Sequence, residues 1–220
     1  MDTNSFLGDD SDNFIKNTHS TNRGTIDWLI MQKGNKMENI IKVVDNYEDF
    51  VKVFTVFSGA PFFEYWSTQE LHDEYKELKD GGEIFGYYLD DSNIAGLVTV
   101  LKGAKKSHPV IFPDPKKVMY ISDIAVINEQ RGKGFAKHLA DFIINYTEAF
   151  NEYQHMYMRT NLEGSMSEGI FLKRGFEVMR DQNNQIITQE VSFERTNGET
   201  TTDTRKFLSK RLILKWINTK

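Results

Sequence analysis

Cysteine is absent from this chain of 220 residues. Disulfide bonds, thiolate nucleophiles and zinc sites with sulfur ligands are therefore excluded. The five histidines show no pairing at the spacing that helical metal ligands require. The sequence accordingly predicts no metal site.

Long apolar runs and an excess of positive charge are missing as well. No hydrophobic stretch approaches the length that spans a bilayer, so we do not expect a membrane protein. Lys and Arg total 27 against 32 Asp and Glu, and the resulting net charge of -5 disfavours nucleic acid as a partner. Residues 1–12 are acidic and polar and lack the regions of a signal peptide, which predicts a cytoplasmic protein.

Length and composition indicate one globular domain with an appendage. Hydrophobic residues make up 39% and charged residues 27%, which are ordinary values for a globular protein. Residues 1–36 are rich in Asp, Asn, Ser and Thr, so we expect a polar N-terminal extension before a domain over residues 37–220. Alternatively, Met37 is the natural start, because Lys33 to Lys36 can be encoded by a purine-rich stretch that resembles a bacterial ribosome-binding site.

The spacing of apolar residues predicts alternating strands and helices from residue 40 onward. Asp45 and Thr68 are the predicted N-caps of the first two helices. Residues 181–206 are polar, and the sequence gives no clear element there. The predicted strands cover residues 40–44, 84–89, 94–101, 118–126, 156–160, 176–179 and 211–217, and the predicted helices cover residues 47–57, 68–80, 134–150 and 167–174.

The turn between the strongest strand and the longest helix is rich in glycine and positive charge. Its glycines let the backbone approach a ligand closely, and the amides of the first helical turn lack intrahelical partners. The helix dipole and the two cationic side chains favour a phosphate or pyrophosphate. An ordinary strand-to-helix turn without a ligand remains the alternative. The turn reads Glu129-Gln130-Arg131-Gly132-Lys133-Gly134-Phe135-Ala136.

Two common phosphate-binding motifs do not fit this turn. A Walker loop needs Lys-Ser or Lys-Thr at its end, whereas Gly134 is followed by Phe135 and Ala136. A dinucleotide fingerprint would place glycine or alanine where Lys137 stands, and it needs an acidic residue after the next strand. Residues 156–160 supply no such acid.

Four segments resemble the GNAT superfamily of N-acetyltransferases in their order and spacing. The family's Arg/Gln-x-x-Gly-x-Gly/Ala pattern falls on Arg131, Gly134 and Ala136. The resemblance is dense over residues 118–176. It implies a mixed α/β fold with a central, mostly antiparallel sheet of about six or seven strands, splayed after its strongest strand, and about four helices. The segments are Tyr120-Ile121-Ser122-Asp123-Ile124-Ala125-Val126, Arg131-Gly132-Lys133-Gly134-Phe135-Ala136, Asn161, and Phe171-Leu172-Lys173-Arg174-Gly175-Phe176.

The resemblance implies acetyl-coenzyme A as co-substrate and direct attack by an amine, without a covalent enzyme intermediate. The amides of Gly132, Lys133, Gly134, Phe135 and Ala136 would hold the pyrophosphate. The pantetheine arm would lie along Ile124, Ala125 and Val126, with an N–H near Val126 polarising the thioester carbonyl. Asn161 and Phe171 are further expected cofactor-binding positions.

Proton transfer is where the sequence departs from the family pattern. The tyrosine that often protonates the leaving thiolate would fall at Phe171, which has no hydroxyl. Tyr120, Ser122, Tyr157, Ser165 or a water could substitute, and their order is open. Asp123 is the carboxylate expected to bind or deprotonate the amine, although it could equally be a polar residue satisfied by neighbouring backbone at the strand splay.

The acceptor is expected over the first two helices, as the resemblance suggests. There residues 62–66 concentrate aromatic side chains, with Glu70, Asp73 and Glu74 following, and this combination suits a cationic amine. The alternative is that the aromatics are core and the acids a solvated helix face. Asp123 lies in a strand segment similar to one in polyamine acetyltransferases, which favours a small, polyamine-like amine.

Other assignments stay open from the sequence. They are a non-catalytic module that binds acyl-coenzyme A, an acetyltransferase acting on a protein N-terminus or lysine, an enzyme with a longer acyl group, and a homodimeric assembly.

Overall fold

The computed structural model describes residues 40–55, 67–194 and 200–213. The predicted extension 1–36 and the aromatic segment 62–66 lie outside these ranges. The helices are α1 (Tyr47–Phe54), α2 (Thr68–Gly81), α3 (Phe135–Ala149) and α4 (Met166–Leu172). The strands are β1 (Ile40–Val43), β2 (Gly82–Tyr88), β3 (Ile94–Lys102), β4 (Val118–Val126), β5 (His155–Asn161), β6 (Glu177–Val178), β7 (Thr188–Glu194) and β8 (Thr200–Arg211).

The described strands form one sheet in the order β1-β2-β3-β4-β5-β8-β6, with β7 pairing on β8. The β4–β5 pair is parallel, and the other pairs are antiparallel. The predicted mixed α/β fold with a mostly antiparallel sheet is thus confirmed. The sheet has eight described strands rather than six or seven, because the chain after residue 187 adds a hairpin.

Two apolar layers cover the two faces of the sheet. Successive side chains of a strand point to opposite faces, so Met119 and Ile121 of β4 pack with α3 and α4 in one cluster. Tyr120 of the same strand packs with α1 and α2 in the other cluster. The strand is buried on both sides, which explains its nearly continuous apolar sequence.

The first two helices begin at caps that differ by one residue from the prediction. Asn46, not Asp45, caps α1, and its side chain accepts a hydrogen bond from the Asp49 amide at 2.7 Å. Ser67, not Thr68, caps α2 in a capping box with Glu70. Both sites offer two adjacent residues that can form an N-cap. The N-cap is the one whose side chain accepts a hydrogen bond from the amide three positions later.

The C-terminal hairpin is where the sequence prediction was wrong. Residues 188–194 and 200–211 form β7 and β8, whereas no strand was predicted between residues 180 and 210. Leu212 and Ile213 lie beyond the end of β8, and residues 214–217 of the predicted last strand lie outside the described residues. Residues 200–206 of β8 are all threonine or charged, so the strand character of this part comes from pairing with β5 and β7 rather than from apolar residues.

Candidate active site

The centre of the sheet opens where β4 and β5 part. The two strands pair only from Val118 to Ile121 on β4 and from His155 to Met158 on β5. Thr99 of β3 pairs with Asp123, and Val100 pairs with Ile121, so Ser122 is an extra residue in β4. Such a bulge bends the strand and increases its twist. It therefore marks the point at which β4 leaves β5, as the predicted splay requires.

The open edge of β4 presents main-chain groups to the gap. The amides of Asp123 and Ile127 point toward β3, donating to Thr99 Oγ1 at 3.0 Å and to the carbonyl of Ala95 at 2.9 Å. Because main-chain groups alternate sides along a strand, the N–H groups of Ile124 and Val126 face the gap. The carbonyl of Val126 accepts a hydrogen bond from Arg131 Nε at 3.3 Å, which links the edge to the glycine-rich turn.

The glycine-rich turn forms an open cradle in front of α3. Gly132 and Gly134 have φ of 78° and 89°, where a side chain would be strained, and a Cβ built on either glycine meets no atom within 4 Å. Gly134 is also the N-cap of α3 and has no side chain to cap the first amides. Lys133 is held beside the turn by its Nζ, which donates to Gln130 Oε1 at 2.7 Å. The cradle therefore offers amides, positive charge and space to an anion.

A cavity of about 630 Å³ lies on the α2 side of the gap. Its wall on α2 is acidic, and the side formed by β5 and β8 carries Arg159 and Arg205. The predicted candidates Tyr120, Ser122, Asp123 and Ser165 all line it, together with Ile124 and Asn161. The structure thus brings together residues that the sequence could only name one by one.

Asp123 lies at the floor of the cavity, half-buried. Its Oδ2 accepts a hydrogen bond from Thr99 Oγ1 at 3.2 Å. Burial raises the pKa of this carboxyl, and the opposing effects are hydrogen bonds from Ser122 and Thr99 and then the charges of Lys105 and Arg159. The carboxyl thus lines the cavity and also bonds to a neighbour in the sheet, and its role stays a prediction.

Glu74 of α2 is the functional candidate that sequence reasoning left unranked among the acids of this helix. Burial raises its pKa to about 7, with the charge of Asp123 as the next cause, and the charge of Lys105 opposes the shift. Within the described ranges its side chain makes no hydrogen bond and no ion pair. A carboxyl with a pKa near neutrality, open to a cavity, is suited to accept a proton.

The candidate proton donors differ in their surroundings. Tyr157 is fully buried and its hydroxyl is engaged, since the Lys105 amide donates to it at 2.9 Å and His108 Nδ1 lies 3.1 Å away. Tyr120 is 4% exposed yet lines the cavity, and burial raises its pKa. Ser165 caps α4 and shares hydrogen bonds of 2.8 Å with Thr160 and Ser167. Tyr157 is therefore placed away from the cavity, and the other candidates face it.

Two further expected cofactor positions occupy different environments. Asn161 ends β5 and lines the cavity, where its Oδ1 accepts a hydrogen bond from Arg205 Nη1. Phe171 is 0% exposed and packs edge-on against Phe176 with ring centroids 5.1 Å apart. The roles of Asn161 and Phe171 toward a cofactor stay predictions.

The profile of the Acetyltransferase (GNAT) family matches residues 47–176, more than half of the chain. The chain therefore belongs to this family and is an acetyltransferase. A search of the curated proteins by sequence finds no match.

Solved structures share the fold at low sequence identity. The ribosomal-protein-S18-alanine N-acetyltransferase from Escherichia coli is 11% identical, covers 83% of this chain and 99% of its own, and has a TM-score of 0.57. An acetyltransferase of the GNAT family from Streptococcus pneumoniae is 13% identical over 80% of this chain and 100% of its own, with a TM-score of 0.55. A Bacillus subtilis acetyltransferase in complex with CoA is 16% identical over 80% of this chain and 100% of its own, with a TM-score of 0.52.

None of the helices in the described residues is long and apolar enough to cross a membrane.

Proposed function

We propose that the chain transfers the acetyl group of acetyl-coenzyme A to the primary amine of a small molecule by direct attack of the amine on the thioester. The observation that carries this proposal is the open edge of β4, which runs from the glycine cradle to a cavity lined with carboxylates. One end of this edge suits a diphosphate and the other an ammonium group. Family membership supports the reaction class.

The cradle fits the diphosphate of coenzyme A. The amides of Gly132, Lys133, Gly134, Phe135 and Ala136 would bind its oxygens at the positive end of α3. The main-chain groups of Ile124 to Val126 would then pair with the amides of the pantetheine arm, as an added strand would. The Bacillus subtilis neighbour is a complex with CoA, which supports this cofactor class.

The reaction would need little from side chains besides proton transfer. The amine nitrogen forms a bond to the thioester carbon while the carbon–sulfur bond breaks, and the sulfur leaves as a thiolate that ends as the free thiol. An N–H of the open edge, at Ile124 or Val126, would stabilise the negative charge that develops on the carbonyl oxygen. Holding amine and thioester together would supply most of the acceleration.

Glu74 and Asp123 are the groups we propose for receiving the proton of the ammonium. Both face the cavity, and Glu74 has a pKa of about 7, which matches a general base at neutral pH. We expect kcat/KM to rise as the pH increases through that pKa. Tyr120, Ser122 and Ser165 remain candidates for protonating the thiolate, and thiolate is also a good enough leaving group to depart without a dedicated acid.

The size of the cavity supports a small acceptor. The cavity of about 630 Å³ lies within the usual range for small-molecule sites. A protein acceptor remains the alternative, since the Escherichia coli neighbour is named for a ribosomal protein. The predicted aromatic contribution of residues 62–66 lies outside the described residues.

A non-catalytic acyl-coenzyme A binding module is the second candidate, and one observation favours it. Phe171 is fully buried and has no hydroxyl, so the family's usual acid is absent at that position. Release of free thiol from acetyl-coenzyme A with a panel of small amines separates the two. Turnover that falls at least tenfold in Glu74→Gln supports the enzyme, whereas cofactor binding without thiol release from any small amine or any peptide would overturn it.

A further inference from the structure

The cavity carries opposite charges on its two sides. The acids of α2 and Asp123 lie on one side, and Arg159 of β5 and Arg205 of β8 lie on the other. A cavity evolved only for a cation would gain nothing from guanidinium groups at its wall, because they repel the ligand. The charged side chains that have no partner within the fold therefore indicate which charged groups the ligand carries.

Most charged groups around the cavity are already occupied. Glu77 pairs with Lys105 at 3.0 Å, and Glu70 accepts from the Ser67 amide at 2.6 Å in the capping box. Arg205 Nε lies 2.5 Å from Asp203 Oδ2, so this guanidinium is neutralised within the fold. These groups build the walls of the cavity rather than its binding surface.

Arg159 differs from Arg205 because no carboxylate of the described residues forms an ion pair with it. Its Nη1 donates to Gln189 Oε1 at 3.1 Å, and Gln189 Nε2 in turn donates to the carbonyl of Ser107 at 3.0 Å. A guanidinium has five N–H donors, so this one neutral contact leaves most of them available. The contact also fixes the orientation of the group, which suits a two-point hydrogen bond to a carboxylate.

Across the cavity, Glu74 is the acid without a hydrogen bond or ion pair among the described residues. Arg159 and Asp123 belong to strands on either side of the gap, and their side chains face the same cavity as Glu74. Arg159, which has no ion pair, and Glu74, which has neither an ion pair nor a hydrogen bond among the described residues, thus face a shared space. A ligand with one charge of each sign would neutralise both.

On the basis of the proposed N-acetyltransferase function, we infer that the acceptor is a zwitterion, an amine that also carries a carboxylate, of which a free amino acid is the simplest form. Its carboxylate binds Arg159, and its ammonium group faces Glu74 and Asp123. A plain diamine lacks the anion and leaves the half-buried guanidinium of Arg159 without an ion-pair partner among the described residues. The inference therefore narrows the polyamine-like acceptor expected from the sequence to an amine of the amino-acid class.

The test compares amines that differ only in the carboxylate. Lysine with 1,5-diaminopentane, ornithine with 1,4-diaminobutane and histidine with histamine are suitable pairs, and the amino-acid methyl esters keep the shape while removing the charge. We expect thiol release from acetyl-coenzyme A with a kcat/KM at least about 10-fold higher for the amino acid of an accepted pair, since a hydrogen-bonded charge pair is worth about 1.5–3 kcal/mol.

Variants of Arg159 test the assigned residue. Arg159→Ala should lower kcat/KM for the amino acid by about 10- to 100-fold, and Arg159→Lys should lower it less. Neither variant should lower kcat/KM for the plain amine, because the guanidinium repels its charge. Arg211→Ala removes an exposed arginine at the far end of β8 and should change neither. Equal rates for both members of every pair, or equal losses for both in Arg159→Ala, would overturn the inference.

Binding measurements separate this inference from the proposed function. Calorimetric titration of amino acids and their decarboxylated partners into protein saturated with coenzyme A needs no turnover. Tighter binding of the amino acids, weakened in Arg159→Ala, would support the zwitterion site even if no thiol were released. Binding of neither class, or equal binding of both, would refute it. Should Arg159→Ala fail to fold, the substrate pairs and Arg159→Lys decide the outcome.

Discussion

Replacing Glu74 with glutamine should make the free protein more stable at alkaline pH. Burial raises the pKa of Glu74 from 4.5 to about 7, so the folded protein favours its neutral form. The contribution of the Glu74 carboxyl to the free energy of unfolding is fully present below pH 4.5 and is lost as the pH rises through about 7. Glutamine is neutral at every pH and avoids the cost of ionising the group in the folded state.

The magnitude follows from the size of the shift. A change from 4.5 to about 7, at about 1.4 kcal/mol per pKa unit, corresponds to at most about 3.5 kcal/mol at pH 8. Solvent reaches part of the side chain, so we expect about 1 to 3 kcal/mol. At pH 4.5 the free energies of unfolding of Glu74→Gln and the parent protein should nearly coincide.

Urea unfolding followed by circular dichroism at pH 4.5, 6 and 8 gives this difference. The difference between variant and parent is needed, because other groups titrate in the same window. Asp73→Asn is the matched control, since it removes a solvent-exposed carboxylate of the same helix and keeps Glu74. A difference that does not grow with pH, or a less stable Glu74→Gln at pH 8, would refute the assignment of Glu74 as a buried, unpaired acid.

Three more predictions concern the cradle, the core and a buried ion pair. Gly134→Asp should abolish calorimetric binding of acetyl-coenzyme A by placing a carboxylate against the diphosphate, whereas Gly175→Asp, at a similar φ of 80° after α4, should bind it normally. The pKa of His108 is lowered to about 4, chiefly by burial, so its stabilising effect is present above pH 6.5 and lost as the pH falls through about 4. Between pH 7 and pH 4, the free energy of unfolding of His108→Gln should therefore fall by about 2 kcal/mol less than that of the parent protein, as measured by urea unfolding. An equal fall in both proteins would contradict this. Lys206→Met should lower the free energy of unfolding by about 3–5 kcal/mol, because it leaves the buried Glu168, whose Oε1 lies 2.8 Å from Lys206 Nζ, without its ion-pair partner. The double variant with Glu168→Leu should recover most of this free energy. No recovery would show that the two residues do not form an isolated ion pair.

The parts of the fold that were predictable are those whose signal is local. The strand Val118–Val126 has the predicted bounds because it packs on both faces and its sequence is therefore apolar except at Ser122 and Asp123. The helix α3 and the glycine turn before it lie next to each other in the chain, so spacing alone indicated both. The β7–β8 hairpin was missed because residues 200–206 of β8 are all threonine or charged and show no apolar alternation.

The candidate site was predictable only where one segment supplies it. Asp123 and the turn over residues 131–136 belong to the β4–α3 unit and were named from the sequence. Glu74 comes from α2, and its raised pKa depends first on burial and then on the charge of Asp123, both of which require the packing of α2 on the sheet. Arg159 and Arg205 meet at the cavity because β5 and β8 pair in one register, and register is a property of the assembled sheet.

The short parallel contact between β4 and β5 is a seam, meaning the line along which the two antiparallel halves of the sheet are joined. Each half of the sheet is a complete antiparallel unit, and four matched positions on each strand join them before the edges diverge. A chain-like ligand that pairs with the exposed edge at Ile124 and Val126 would extend the hydrogen bonding along this seam, so that the bound ligand fills the gap between the two halves of the sheet. Binding would then tighten the joint between the halves, and amide hydrogens along β4 and β5 would exchange more slowly whenever the seam is filled.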